Sequence, residues 1–71
     1  MYKNYYFYNY VDSKGNHEVH TGDCSYLPAV ENRTYIGLYN SCSDAISAAK
    51  KQYPLKSFDG CYFCCTSCHK G

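Results

Sequence analysis

Residues 60–69, which read GCYFCCTSCH, decide the fold of this chain, because they hold four of its six cysteines. Cys61 and Cys64 within them are spaced C-x2-C, and Gly60 directly before them relieves the steric demands of a tight turn. Such a turn places two sulfurs on the same side of a backbone loop. This crowding of thiols in one short segment favours a metal-binding knuckle over disulfides, whose cysteines are usually spread along a chain.

A second pair of candidate ligands lies far upstream, where His20 and Cys24 are spaced H-x3-C at the end of a predicted strand. Zinc takes four nitrogen or sulfur ligands in a tetrahedron, and a site with four protein ligands is closed to water. The two pairs together predict one structural zinc ion bound by His20, Cys24, Cys61 and Cys64. Ferrous iron is the alternative metal, because thiolate-rich tetrahedral sites take both ions.

The fourth ligand is open at this stage, because three further donors follow the C-x2-C pair. Cys65 and Cys68 form a second C-x2-C, and His69 comes directly after them. The rival ligand set keeps the three cysteines of the predicted site and replaces His20 by one of these residues. We favour His20, since its spacing to Cys24 suits a second ligand pair.

The length of the chain makes a metal important for its stability. Seventy-one residues form a single domain, residues 1–71, and a domain of this size buries only about 60 % of the surface that its unfolded chain exposes. Structural zinc sites in small peptides contribute about 10–16 kcal/mol near pH 7, which rivals the whole stability of a domain. We therefore expect folding to be coupled to metal binding.

The cellular compartment bears on the choice between metal and disulfides. The first ten residues, MYKNYYFYNY, are polar and aromatic and lack the apolar stretch of a signal peptide. No run approaches the roughly 20 apolar residues of a membrane span. We expect a cytoplasmic protein with no membrane partner, whose thiols stay reduced. The alternative is a secreted chain that has lost its signal peptide and forms up to three disulfides from its six cysteines.

Residue patterns predict an α+β fold with a small antiparallel sheet of about three strands, one main helix and a C-terminal zinc knuckle. The predicted strands are residues 5–11, 17–21 and 33–39, which are rich in aromatic and β-branched residues. Turn formers at residues 12–16 join the first two strands as a hairpin. His17 is expected to be exposed on the second strand, and Gly37 to mark a bulge or a close backbone approach in the third.

The helix is the clearest predicted element. Ser41 and Asp44 form a capping box at its start, and Pro54 ends it. An apolar stripe that faces the sheet then recurs at helical spacing, at Cys42, Ala45, Ile46, Ala49 and Tyr53. Cys42 on that stripe is interpreted as a core residue and not as a ligand.

The tyrosines of the first strand provide a candidate interaction surface. Tyr6, Tyr8 and Tyr10 alternate with the core side of that strand, and we expect them to contact a protein partner. Base stacking on nucleic acid is the alternative. It is disfavoured because the net charge is only +1, and a solvated helix face explains Lys50, Lys51 and Lys56.

No catalytic constellation is evident. A hydrolytic zinc site would keep an open position for water, whereas four good ligands close it. The alternative from the enzyme class is thiol chemistry at Cys65 or Cys68, either redox chemistry or alkyl transfer. We interpret the chain as a monomeric, zinc-stabilised module that acts by binding and is not an enzyme.

The motifs also follow one another in a recognisable order, His20-x3-Cys24, Ser25-Tyr26-Leu27-Pro28, an aromatic strand, Ser43-Asp44-Ala45 and Cys61-x2-Cys64. Over roughly residues 17–65 this order resembles the metal-binding domain of Ada-type DNA alkylation-response proteins, which also occurs in small stand-alone bacterial proteins. In that family four cysteines hold zinc, and the first of them accepts a methyl group from a DNA phosphotriester. The resemblance implies metal ligation by Cys24, Cys61 and Cys64. It does not imply methyl transfer, because His20 stands at the acceptor position.

Overall fold

The computed structural model describes residues 1–71 and confirms the α+β class. One face of a four-stranded sheet packs against a single helix. The elements are β1 (Lys3–Tyr8), β2 (Asn16–Thr21), β3 (Arg33–Tyr39), α1 (Cys42–Gln52) and β4 (Ser57–Gly60), with short 3₁₀ turns at Val30–Asn32 and Thr66–Cys68. The helix is not long and apolar enough to cross a membrane.

The sheet has one strand more than predicted and is mixed, in the order β3-β1-β2-β4. β1 pairs antiparallel with both β2 and β3, whereas β4 lies parallel to β2. No strand signal is visible in the sequence over Ser57–Gly60, because this segment is short and ends in Asp59 and Gly60, two turn formers. Its conformation is set by pairing with β2, a contact distant in sequence that local patterns do not encode.

The first strand begins and ends earlier than predicted, at Lys3–Tyr8 where the tyrosine pattern indicates residues 5–11. The partner strand β3 begins at Arg33, which pairs with Tyr8, so β3 does not extend alongside the residues after Tyr8. At the other end Lys3 is recruited by pairing with Tyr39. Pairing with β3 therefore sets the bounds of β1, and the strand propensity of its aromatic residues does not.

The predicted bulge is confirmed in the pairing between β1 and β3, whose register shifts beside Gly37. Gly37 has φ +151°, and a Cβ added there would lie 2.7 Å from the ring of Tyr39. Glycine is required at this position for both reasons.

The core lies between the sheet and α1 and is built around Phe7. The ring of Phe7 makes edge-on contacts with Tyr53, Phe58 and His17, with centroid separations of 5.2–5.4 Å. The expectation that His17 is exposed is wrong, since the residue is buried and its Nδ1 lies 2.8 Å from the carbonyl oxygen of Tyr8. Strand alternation explains this, because residues two apart share a face and Val19 is in the core.

The helix begins as predicted. Ser41 is the N-cap, and its hydroxyl accepts a hydrogen bond of 3.2 Å from the amide of Asp44. Tyr53 ends the helix directly before Pro54, and Cys42 is buried on the sheet-facing side as predicted.

Candidate metal centre

The parallel pairing of β2 and β4 is what brings the two halves of the predicted site together. Val19 pairs with Gly60, so the carboxyl ends of both strands lie side by side. His20 comes directly after Val19 on β2, and Cys61 comes directly after Gly60 at the end of β4. The amide of Cys61 donates a hydrogen bond of 2.9 Å to the carbonyl oxygen of Val19 and fixes this junction.

The four predicted ligands form one compact group. One donor atom from each of His20, Cys24, Cys61 and Cys64 lies within 4.8 Å of the others, an arrangement that could hold a metal ion. The sulfurs of Cys24 and Cys61 are 3.9 Å apart. A tetrahedron with metal–sulfur bonds of 2.3 Å has edges of about 3.8 Å, so this separation already matches a shared metal.

The imidazole of His20 is oriented by Glu18 from the same strand. Its Nε2 lies 3.0 Å from Oε1 of Glu18, while its Nδ1 is buried without any hydrogen-bond partner. A buried polar atom left unpaired costs about 1–3 kcal/mol, and a metal bound at Nδ1 would remove that cost. A carboxylate on the second ring nitrogen is the usual arrangement for metal-binding histidine.

Burial of His20 also suits metal binding. The side chain is 2 % exposed, and desolvation lowers its pKa, with the charge of Glu18 acting in the opposite direction. The neutral imidazole that results has a free lone pair on Nδ1 when its hydrogen is on Nε2. This is the form that coordinates a metal.

Each of the three cysteine sulfurs accepts one backbone N–H. Thr21 donates to Cys64 at 3.3 Å, and the amides of Tyr26 and Phe63 donate to Cys24 and Cys61 at 3.4 Å. Hydrogen bonds of this kind favour a charged acceptor over a neutral one. Burial raises the pKa of Cys24, so its thiolate needs a cation beside it.

The rival ligands lie outside this group. Cys65 is buried with its thiol near those of Cys64 and Cys42, and Cys68 is also near Cys42, the core cysteine of α1. Burial raises the pKa of both thiols, so they remain protonated. His69 directs Nδ1 toward the carbonyl oxygen of Gly60 at 2.9 Å. All six cysteines are free thiols.

An exposed aromatic cluster beside the metal group is absent from the sequence prediction. The rings of Tyr26 and Phe63 stack with centroids 4.3 Å apart, and Tyr62 meets Phe63 edge-on at 5.2 Å. All three residues are about 60 % exposed. We call Tyr26, Tyr62 and Phe63 the aromatic rim. Its only sequence signal is the Tyr-Phe pair between the cysteines of the C-x2-C motif.

The tyrosine face predicted on β1 is less accessible than expected. The ring of Tyr6 is half-buried, with Tyr35 at a centroid separation of 5.2 Å and the guanidinium of Arg33 at 4.6 Å. Tyr8 is half-buried as well, and of the three only Tyr10, beyond the end of the strand, is exposed, at 60 %.

No protein-family model, curated protein or solved structure matches this chain. The resemblance to Ada-type metal domains therefore depends on residue order and spacing alone. What the fold itself provides is a group of one histidine and three cysteines that could hold a metal ion.

Proposed function

We propose that the protein is a small binding module held together by one structural zinc ion on His20, Cys24, Cys61 and Cys64, and that it is not an enzyme. The observation that carries this proposal is the buried side chain of His20, which offers one ring nitrogen to the group of three sulfurs and whose Nδ1 has no hydrogen-bond partner. Three thiolates and one neutral imidazole around Zn²⁺ leave one net negative charge, which the three sulfur-directed amides stabilise.

A closed site supports a structural role. Four protein donors complete the tetrahedron, so no position remains for a water or a substrate. Glu18, the carboxylate beside the site, is already engaged with Nε2 of His20 and is not free to act as a general base.

Binding to a protein partner is supported by the way the aromatic rim is attached. Tyr26 and Phe63 donate their amides to the ligand sulfurs of Cys24 and Cys61, so the metal fixes the backbone beneath the two stacked rings. Exposed aromatic side chains held in fixed positions are typical anchors of protein interfaces. The metal would thus organise the surface that binds.

The metal site is tested by elemental analysis of protein purified without a metal-affinity tag, with Co²⁺ substitution as a second readout. We expect one zinc per chain and a tetrahedral Co²⁺ spectrum with the thiolate charge-transfer intensity of three sulfurs. Cys61→Ser should lower that intensity by about a third, whereas Cys68→Ser, which changes a nearby cysteine outside the group, should leave it unchanged. Loss of intensity in Cys68→Ser would assign the fourth ligand differently, and iron in the purified protein would replace zinc in the proposal.

The binding role is tested at the aromatic rim. Phe63→Ser in metal-loaded protein should abolish the recovery of partner proteins from a cell extract, since it removes the ring that contacts both other rim residues. Tyr35→Ser is the matched control, because Tyr35 is similarly exposed but lies on the sheet away from the rim. Equal recovery with both variants would exclude the rim as the interaction surface.

A further inference from the structure

Four lysines converge on one cleft of about 500 Å³ at the side of the molecule where β4 forms the edge of the sheet. They are Lys14, Lys50, Lys56 and Lys70. Only six lysines are present in the chain, so most of its positive charge faces this single cleft. The sequence scatters these residues over the whole chain, and the fold brings them together.

Each of the four lysines comes from a different segment. Lys14 belongs to the turn between β1 and β2, Lys50 to the last turn of α1, Lys56 to the connection before β4, and Lys70 to the C-terminal segment. The pairing of Asn16 with Ser57 brings the hairpin turn next to the start of β4.

No lysine of the cleft is neutralised by an ion pair. The only lysine in a salt bridge is Lys3, which contacts Asp23 at 3.3 Å. Asp59 lines the cleft but is 5 % exposed, and its Oδ1 already accepts the amides of Gly60 and Lys70 at 3.0 and 2.8 Å. Four lysines that line one cleft and form no salt bridge repel one another, and an anion in that cleft would relieve the repulsion.

Helix electrostatics explains only one of these lysines. A cation in the last turn of a helix is favoured by the macrodipole, which accounts for Lys50 and equally for Lys51. The C-terminal end of the helix carries only about half a negative charge, which is small beside four full positive charges. Lys14, Lys56 and Lys70 are on other segments, so the macrodipole does not account for them.

We propose that this cleft binds a small ligand that carries several phosphate groups, such as a diphosphate or triphosphate chain. Four cations match the charge of such a chain, and Asn16 and Ser57, which also line the cleft, have neutral hydrogen-bond donors. A volume of about 500 Å³ is within the range of small-ligand sites.

The remaining basic residues favour a small ligand over the backbone of a nucleic acid. Lys51 lines a different cleft, between α1 and Tyr39, and Lys3 is paired with Asp23. Arg33 lies over the ring of Tyr6. The positive surface therefore ends with the cleft, whereas a nucleic acid needs a basic track along several phosphates.

The proposal is tested by calorimetric titration of metal-loaded protein with inorganic tripolyphosphate, with orthophosphate and a single-stranded oligonucleotide as the comparison ligands. We expect tripolyphosphate to bind more tightly than either. Because tripolyphosphate also chelates zinc, the metal content is measured after each titration, and amide shifts of Asn16, Ser57 and Asp59 are followed by NMR. Shifts at these three amides with the metal retained would support the proposal.

Lysine variants distinguish binding in the cleft from attraction to the positive charge of the protein as a whole. Lys56→Gln should weaken tripolyphosphate binding about three-fold, and Lys50→Gln with Lys56→Gln about ten-fold. Lys51→Gln removes the same charge from the same helix outside the cleft and should change the affinity less than two-fold, about 0.4 kcal/mol. The proposal is overturned if Lys51→Gln weakens binding as much as Lys56→Gln, if the oligonucleotide binds more tightly than tripolyphosphate, or if tripolyphosphate does not bind.

Discussion

Glu18 contributes no atom to the candidate metal group, yet it contacts one of the two ring nitrogens of His20. Its carboxylate lies 3.0 Å from Nε2, so that ring atom is occupied and Nδ1 is left for the metal. A carboxylate beside one ring nitrogen also makes the other nitrogen a stronger metal ligand, because it draws the imidazole proton partly toward itself. The spacing H-x3-C predicts His20 as a ligand, but the partner of its second nitrogen depends on the fold, because Glu18 and His20 must share one face of β2.

Removal of Glu18 should therefore weaken metal binding without removing a ligand. We expect Glu18→Ala to lower the affinity for Zn²⁺ about 10–100-fold. Glu18→Gln should lower it less, because the amide oxygen can take the place of the carboxylate oxygen beside Nε2. Affinity is measured by competition with a chromophoric chelator, with Glu31→Ala, an exposed acidic residue elsewhere, as the control. Wild-type affinity in Glu18→Ala would mean that Glu18 does not orient His20.

At the scale of elements, helix α1 was predictable and strand β4 was not. The start of α1 is encoded locally, since Ser41 and Asp44 are three residues apart and meet through one hydrogen bond. β4 depends on pairing with β2, whose partner residues lie about forty positions away in sequence. The same distinction between local and long-range signals applies to the metal site. The sequence shows the spacing within each ligand pair, but it does not show the parallel strand pairing that brings the two pairs together.

The helix cap provides a test of this local encoding. Ser41→Ala should destabilise metal-loaded protein by about 1 kcal/mol, because it removes the acceptor for the amide of Asp44. Ser47→Ala is the matched control, since Ser47 is exposed in the middle of the same helix, where alanine is at least as favourable. Chemical denaturation of the zinc-saturated variants measures both changes. A loss in Ser47→Ala as large as that in Ser41→Ala would show that the cap is not the cause.

Across the whole molecule, the candidate metal group joins the ends of two parallel strands to a C-terminal segment with little regular structure. Only a 3₁₀ turn at Thr66–Cys68 follows β4, so the position of the last residues depends on the knuckle and on the buried thiol of Cys65. The sheet and helix enclose a small core in which only ten hydrophobic residues are buried. A core of this size provides little stability unless a bound metal or a disulfide adds to it, so loss of the metal should unfold the chain.

Acid should therefore remove the metal and the fold together. Each of the three cysteines must give up its thiol proton to bind the metal, so the logarithm of the apparent zinc affinity should fall by up to about three for each pH unit of acidification. His20 adds a fourth proton below the ordinary histidine pKa of 6.5. Because burial lowers the pKa of His20 in the folded state, the unfolded chain binds the proton first, and stability is lost as the pH falls below 6.5. Circular dichroism and release of zinc to an indicator dye should give the same midpoint, and Cys68→Ser should not shift it. Release of zinc from a chain that stays folded at lower pH would show that the metal does not hold the fold together.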